Sequence, residues 1–210
     1  MDYTAEQLAG LDRVTNLKLI NSITGIKPAN LIGTADAGGK TNLAVFSSVV
    51  HLGSRPPLLG MIARPQTEEV GHTLDNIRTT GEYTINHIGP AFIEKAHYTS
   101  AKFERGESEF ERCGLTPEFQ EGIKAPFVRE SEIKMALRLK EIIPIEFNGT
   151  SLVIGEIIWI RFPDVFWVDG DVDLEKSQSM GISGLNTYYS LKKEDWFPYA
   201  RKEETPDFQG

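Results

Sequence analysis

The chain has 210 residues and a mass of 23.4 kDa, with 40% hydrophobic and 25% charged residues, which suits one large domain with its own core and excludes a mainly disordered chain. Its 22 basic and 30 acidic residues give a net charge of −8 with no Lys/Arg run, which speaks against a nucleic-acid binder or a polybasic membrane anchor. Cys113 is the one cysteine, so an intrachain disulfide or a Cys-held cluster is excluded. Met1-Asp2-Tyr3 does not open a signal peptide, and apolar runs such as residues 152–160 are interrupted, there by Glu156. A cytoplasmic location is therefore the expectation.

In chain order, Thr4-Ala5-Glu6-Gln7 predicts a capping box and a short helix to about Leu11. Residues 29–35 read as a strand, Asp36-Ala37-Gly38-Gly39-Lys40 as a turn, and residues 41–50 as a returning strand, together a hairpin. Arg55-Pro56-Pro57 breaks the chain before a short buried strand at 58–62. A helix is expected from His72, with Thr73 as its N-cap and Gly81 just past its end. Residues 83–88 alternate like a strand, and 91–113 read as helical or irregular, broken at Gly106 and stopped at Gly114. Met135, Leu137 and Leu139 alternate with Lys134, Ala136, Arg138 and Lys140, which predicts a strand with one apolar face. Asn148-Gly149 is expected to turn it, as type I′, into a long apolar strand at 151–162. Residues 166–173 are a strand or turn candidate, and the tail from Arg201 is polar and aperiodic. Many antiparallel strands with few short helices predict a mainly β barrel.

Several motifs look chemical but read better as structure. Gly38-Gly39-Lys40-Thr41 resembles the end of a phosphate-binding P-loop, but the required earlier glycine is Thr34 and a strand follows. Asp169-Gly170-Asp171-Val172-Asp173 begins like a calcium loop, but Leu174 and Met180 occupy its glycine and glutamate positions. His51, His72, His87 and His97 lack metal-ligand spacing. Cys113 sits at an expected helix end, where a packed thiol is favoured over a nucleophile.

One stretch differs. Asn42-Leu43-Ala44-Val45-Phe46-Ser47-Ser48 is polar and small where a core strand should be apolar. Small residues let a ligand approach the backbone, and Asn42, Ser47 and Ser48 offer uncharged donors and acceptors. Arg64 and the helix start at His72-Thr73 follow, and together they could hold a monophosphate. In the alternative reading, the serines cap strand ends and Arg64 pairs with a carboxylate.

The blocks Pro28-Ala29-Asn30-Leu31-Ile32-Gly33-Thr34, residues 41–53 and Pro56-Pro57-Leu58-Leu59-Gly60 resemble the flavin reductase-like family of FMN-binding split barrels, which includes flavoredoxin-like proteins. Arg64-Pro65, residues 72–77, Tyr83-Thr84-Ile85-Asn86-His87, residues 96–103, Ser108-Glu109-Phe110-Glu111, Asn148-Gly149-Thr150 and residues 184–189 extend the likeness in order along the chain. The resemblance implies a six-stranded antiparallel split β-barrel (Greek key) with short peripheral helices, one domain over residues 1–210, and a homodimer. It implies non-covalent FMN near the dimer interface. Residues Asn42, Leu43, Ala44, Val45, Phe46, Ser47 and Ser48 would line ring and ribityl chain, and Arg64, His72 and Thr73 would surround the phosphate. Asn76 would hold the helix start or touch the ligand, and Tyr188 would close over the flavin from its own or a second copy. Many relatives carry a basic residue just before His72; here it is Gly71, close to Glu68-Glu69, which leaves the phosphate charge to Arg64.

The implied activity is an NAD(P)H:flavin oxidoreductase, with NADH or NADPH as a transient donor and a flavin, metal or protein as acceptor. The flavin carries that chemistry, so no catalytic side chain is expected. No Gly-x-Gly-x-x-Gly fingerprint is present, so the donor would dock on the flavin itself. Two alternatives stay open: an FMN-binding electron-transfer protein without nicotinamide activity, and a flavin-free interaction or haem-binding barrel for which His51, His87 and His97 are axial candidates.

Overall fold

The computed structural model describes residues 1–65, 72–104 and 106–208. Helix α1 (Ala5–Ala9) carries the expected capping box, with the Thr4 N–H donating to Gln7 Oε1 at 2.7 Å and the Gln7 N–H to Thr4 Oγ1 at 3.3 Å. Helix α2 (Arg13–Ile23) is N-capped by Asp12 and is not foreseen from sequence. Its exposed apolar residues Val14, Leu17, Ile20 and Ile23 recur every three residues, with half-buried Leu19 between them, off the 3.6 period that signals a buried face, and none of its residues is buried.

Strands β1 (Lys27–Pro28), β2 (Asn30–Ala35), β3 (Thr41–Phe46), β4 (Val50–Ser54) and β5 (Pro57–Ala63) follow. Helix α3 (His72–Thr80) leads into β6 (Glu82–His87), then come helices α4 (Ile93–Tyr98) and α5 (Glu109–Cys113). Strands β7 (Pro117–Glu118), β8 (Phe127–Val128), β9 (Lys134–Ile145), β10 (Thr150–Arg161), β11 (Trp167–Val168), β12 (Asp171–Val172), β13 (Met180–Ser183) and β14 (Thr187–Ser190) complete the order.

The main sheet is antiparallel throughout and runs β3-β2-β6-β9-β10-β5-β4. Its two outer strands, β3 and β4, are consecutive in sequence, joined by residues 47–49. That link keeps the Phe46 and Val50 Cα atoms within about 15 Å, so the sheet must curl until its edges meet. The result is the expected barrel, with seven strands in place of six. Ser48 marks the seam: its hydroxyl donates to the Ile62 carbonyl and accepts from the Ile62 N–H, each at 3.1 Å.

Alternation places the core. Ile32, Met61, Ala63, Tyr83, Ile85, Leu137 and Val153 point into the barrel, and Leu74 and Ile77 of α3 join them. Met135 and Leu139 pack on this cluster with Leu137, the face the sequence predicts. Ala29, Leu31, Leu43 and Ile88 point outward, under Phe92, Ala96 and Phe110 from the α4 and α5 region and Met180 and Ile182 of β13. The full burial of β2 follows from this double cover.

Turn chemistry explains the hairpins. Asp36 Oδ1 accepts from the N–H groups of Gly38 at 2.8 Å and Lys40 at 2.9 Å, and Gly39 takes φ +84°. The P-loop look-alike is therefore a hairpin turn. Asn148-Gly149 is not type I′, because Gly149 has positive φ and Asn148 does not; the loop spans four residues between the paired Ile145 and Thr150. The two-residue turn with both φ positive is Asp169-Gly170, joining β11 and β12. Thr73 lies inside α3, one residue past its start, so it is not the cap; Glu68, Glu69 and Gly71 lie outside the described residues.

Candidate functional site along the open edge of β3

Strand β3 pairs with β2 alone, which leaves one of its edges without a strand partner. The Leu43 N–H points to that edge, where it donates to Glu109 Oε2 at 2.9 Å. Backbone groups of alternate residues share a side in an antiparallel pair, so the Val45 N–H and C=O face the same open edge. The start of α5 covers the first part of it, with the Thr41 and Ser108 hydroxyls 2.9 Å apart. What stays uncovered runs from Val45 toward Ser47.

At the Asn42 end, one polar cluster joins β2, β3 and α3. The Asn42 amide donates to Thr34 Oγ1 at 3.3 Å and to Thr73 Oγ1 at 3.1 Å, and the Asn76 amide donates to Thr34 Oγ1 at 3.1 Å. All four residues are buried. Because Thr73 Oγ1 accepts from Asn42, its own hydrogen is left to donate elsewhere. Thr73 stands in the first turn of α3, where backbone N–H groups lack intrahelical acceptors and the helix dipole is positive.

The structure thus joins Asn42, Thr73 and Asn76. His72 opens α3 and is half-buried; Arg64 follows β5, is exposed, and has no hydrogen bond or ion pair among the described residues. Of the alternative reading, Ser48 does bond a strand backbone, and Glu68 and Glu69, the carboxylates nearest to Arg64 in sequence, lie outside the described residues. The stretch from Asn42 to Ser48 does not present one face. Asn42 and Phe46 point with the barrel interior, and half-buried Ala44 lies between them; Leu43 and Val45 point to the outer core. A ligand at the uncovered part of this edge would meet Val45 through backbone, not side chain.

Tyr188 stands on β14 and packs on the outer core, as Val45 does. Its hydroxyl lies 3.4 Å from His97 Nδ1, and the two rings meet edge-on at 5.9 Å. Lys95, His97, Tyr98, Asn186 and Tyr188 line a cleft of about 580 Å³. Burial raises the Tyr188 hydroxyl above its ordinary value, so it keeps its proton at neutral pH.

Thr34 and Glu109 are not site candidates from sequence and His97 is one only as a haem ligand, although each falls in a block that carries the resemblance. Burial raises the Glu109 carboxyl, an effect opposed by the Leu43 N–H it accepts. The Cys113 thiol is raised by burial and then by the Glu109 charge, with Arg112 opposing, which makes it a poor nucleophile. His87 is pushed down to about 4 by burial, with Nδ1 2.9 Å from Ser179 Oγ. Among the described residues, no group of three or more His, Cys, Asp or Glu converges to hold a metal, and no helix is long and apolar enough to cross a membrane.

Residues 26–171 match the sequence profile of the Flavin reductase like domain. The chain belongs to the flavin reductase-like family. A protein from Shewanella frigidimarina described as a flavin reductase with a split barrel domain is 46% identical, with a TM-score of 0.91 over 95% of this chain and 100% of that one. Component B of nitrilotriacetate monooxygenase from Bacillus cereus is 21% identical, with a TM-score of 0.83 over 94% of this chain and 98% of its own. Flavoredoxin of Desulfovibrio vulgaris is 21% identical, with a TM-score of 0.74 over 95% and 98%; at this identity both likenesses speak to the fold.

Membership of the flavin reductase-like family ties the chain to flavin redox chemistry. The donor set at the β3 edge fits a flavin nucleotide. A neutral hydroxyl and a helix start suit a phosphate, and an unpaired strand edge suits the amide-like rim of a flavin ring. From Asn42 to Phe46 the strand advances about 13 Å, a span that can separate a phosphate from a ring.

Proposed function

We propose that the chain binds FMN along the open edge of β3 and acts as an NAD(P)H-dependent flavin reductase, as a single-domain protein working in a homodimer. Thr73 carries this reading: its hydroxyl, set by Asn42, stands among the first-turn N–H groups of α3. Thr73, His72 and Arg64 would hold the phosphate, with Asn42 and Asn76 positioning Thr73 through the shared Thr34 oxygen. The Val45 backbone, with Ala44 and Ser47 beside it, would bind the ring and ribityl chain. When bound, FMN supplies the capacity to take a hydride from NADH or NADPH and pass the electrons to a flavin, metal or protein acceptor. The chain's own contribution is orientation and shelter. Tyr188 and His97 would wall the ring, and their 580 Å³ cleft is of a size that admits a nicotinamide.

The test is the visible spectrum of the purified protein before and after anaerobic NADH, then NADPH. An oxidised-flavin spectrum bleached by a nicotinamide supports the reading and names the donor. A flavin spectrum that persists with both would favour the electron-transfer protein. A colourless protein that takes up no FMN would overturn the reading.

A further inference from the structure

Among the described residues three side chains that can carry charge at neutral pH are buried: Glu82, Glu109 and Lys134. Two of them have an opposite charge at hand, Glu82 with Arg138 at 3.7 Å and Lys134 with Glu118. Glu109, 6% exposed, has no ion pair among the described residues, and its partners are backbone N–H groups, that of Leu43 at 2.9 Å and its own. A buried carboxylate without a cation is costly to keep charged. A glutamine would accept from the same N–H without that cost, so the Leu43 bond alone does not account for an acid at this position.

The groups around Glu109 do not neutralise it. On α5, Arg112 lies 3.4 Å from Glu107, Glu111 is exposed, and Cys113 is a thiol that the Glu109 charge raises. Just before β3, Lys40 Nζ donates to the Gly106 carbonyl. On α4, Lys95 Nζ donates to the Gly114 carbonyl at 2.8 Å, His97 faces Tyr188, and Glu94 is exposed. Burial therefore raises the Glu109 carboxyl, which brings it closer to taking up a proton. Its place on the sheet gives that proton a use. The N–H groups of Leu43 and Val45 share the open edge of β3 and stand about 7 Å apart, so the carboxylate sits about that far from the backbone groups assigned above to the flavin ring.

We propose that Glu109 is a positioning residue of the flavin site that takes up one proton when the flavin is reduced and returns it on reoxidation; this rests on the FMN reading above. A nicotinamide gives a hydride, two electrons and one proton, to the neutral ring, which becomes singly negative. The Glu109 carboxylate takes one proton from water and becomes neutral, so the net charge of the site is the same before and after. When the electrons pass on to the acceptor, the ring is neutral again and the carboxyl returns its proton to water. The coupling is large enough to matter. A unit charge about 7 Å away, at an effective dielectric of about 20, moves a carboxyl by about one and a half pH units. The distance is within one Debye length, and burial keeps the pair from being screened. Glu109 thereby holds the edge of β3 in place through Leu43 and offsets the charge that reduction brings to that edge.

The test compares FMN-loaded parent, Glu109→Gln and Glu109→Asp under anaerobic photoreduction, which needs no nicotinamide activity. In the parent, the reduced-minus-oxidised infrared spectrum should gain a protonated-carboxyl band. Glu109→Asp should shift that band and Glu109→Gln should abolish it. Midpoint potentials against a reference dye give the second readout. At alkaline pH the Gln variant should hold the higher potential, because it lacks the negative charge beside the ring. The gap should close as pH falls, because a protonated Glu109 brings no charge to remove. A purely structural Glu109 would leave the offset the same at every pH, and that result would overturn the proposal, as would a parent without the band. If the Gln variant does not hold FMN, the parent band and its shift in the Asp variant decide. A parent that takes up no FMN overturns the FMN reading itself, whereas a loaded parent without the band overturns the role of Glu109 alone.

Discussion

The Asn42 amide donates to Thr73 Oγ1 across 3.1 Å, and through this bond strand β3 sets the hydroxyl of the first turn of α3. Asn42 also spends its second amide hydrogen on Thr34, so its donors are used inside the protein. Its expected role is to aim Thr73, with the ligand contact made by Thr73 itself. Thr73→Val should weaken FMN about tenfold and leave riboflavin unchanged, because it deletes a phosphate donor. Arg64→Ala should act in the same selective way by a similar factor, since the exposed guanidinium is screened by water. Asn42→Ala should weaken FMN and also destabilise the fold by about 1–3 kcal/mol, because buried hydroxyls lose their partner. Fluorescence titration with both ligands and urea unfolding separate these outcomes, and equal weakening of riboflavin would remove Thr73 from the phosphate.

Glu109 holds the Leu43 N–H from the start of α5, and burial raises its carboxyl above the ordinary range. The folded chain therefore binds this proton more readily than the unfolded chain. The stability it contributes is complete below the unfolded value and declines as pH rises through the folded value. Glu109→Gln keeps an acceptor for Leu43 without the charge. The parent should thus lose stability relative to the Gln variant as pH rises above the ordinary carboxylate range, in urea unfolding at fixed pH steps. The same change should speed reaction of Cys113 with a thiol reagent, because one cause of its raised thiol is removed.

His87 has the opposite sign. Burial lowers it to about 4, so the unfolded chain takes up the proton first as pH falls. Its stability contribution is present above about pH 6.5 and is lost toward pH 4. Between pH 7 and 4.5 the parent should lose about 2–3 kcal/mol that a His87→Asn variant does not lose. Parallel acid slopes for the two proteins would show that His87 is protonated in the fold.

The barrel is legible in the sequence because its strands alternate cleanly, as Met135, Leu137 and Leu139 do, and because Gly-containing turns punctuate them. The polar cluster at the Asn42 end is partly legible, since Asn42 is polar where a core strand should be apolar, Thr73 marks a helix start and Asn76 falls in a block of the resemblance. Thr34 is not, because β2 is covered on both faces and a lone threonine in such a strand gives no periodic signal. Glu109 acts on Leu43 from 66 positions away, and only the docking of α5 on β3 makes that bond. The resemblance implies that Asn42 to Ser48 line a ligand as one run; a period of two sends Leu43 and Val45 into the outer core. Helix α2 lacks the apolar periodicity of a buried helix, and none of its residues is buried.

Tyr83 is fully buried inside the barrel, and among the described residues its hydroxyl is the one buried side-chain polar atom without a hydrogen-bond partner. It lies over Gly155, at a register shift of β10, where an added Cβ would fall on the hydroxyl. Two opposite outcomes are expected. Tyr83→Phe removes an unpaired polar group without opening a cavity of any size, so it should be neutral or stabilise by up to about 1 kcal/mol. Gly155→Ala forces the ring to move in a packed core and should cost about 1–3 kcal/mol. In the Tyr83→Phe background the alanine should cost less, because the closest clash is gone, and thermal unfolding of the two single variants and the double variant reads the coupling. Marked destabilisation by Tyr83→Phe would mean that the hydroxyl has a bonded partner inside the barrel.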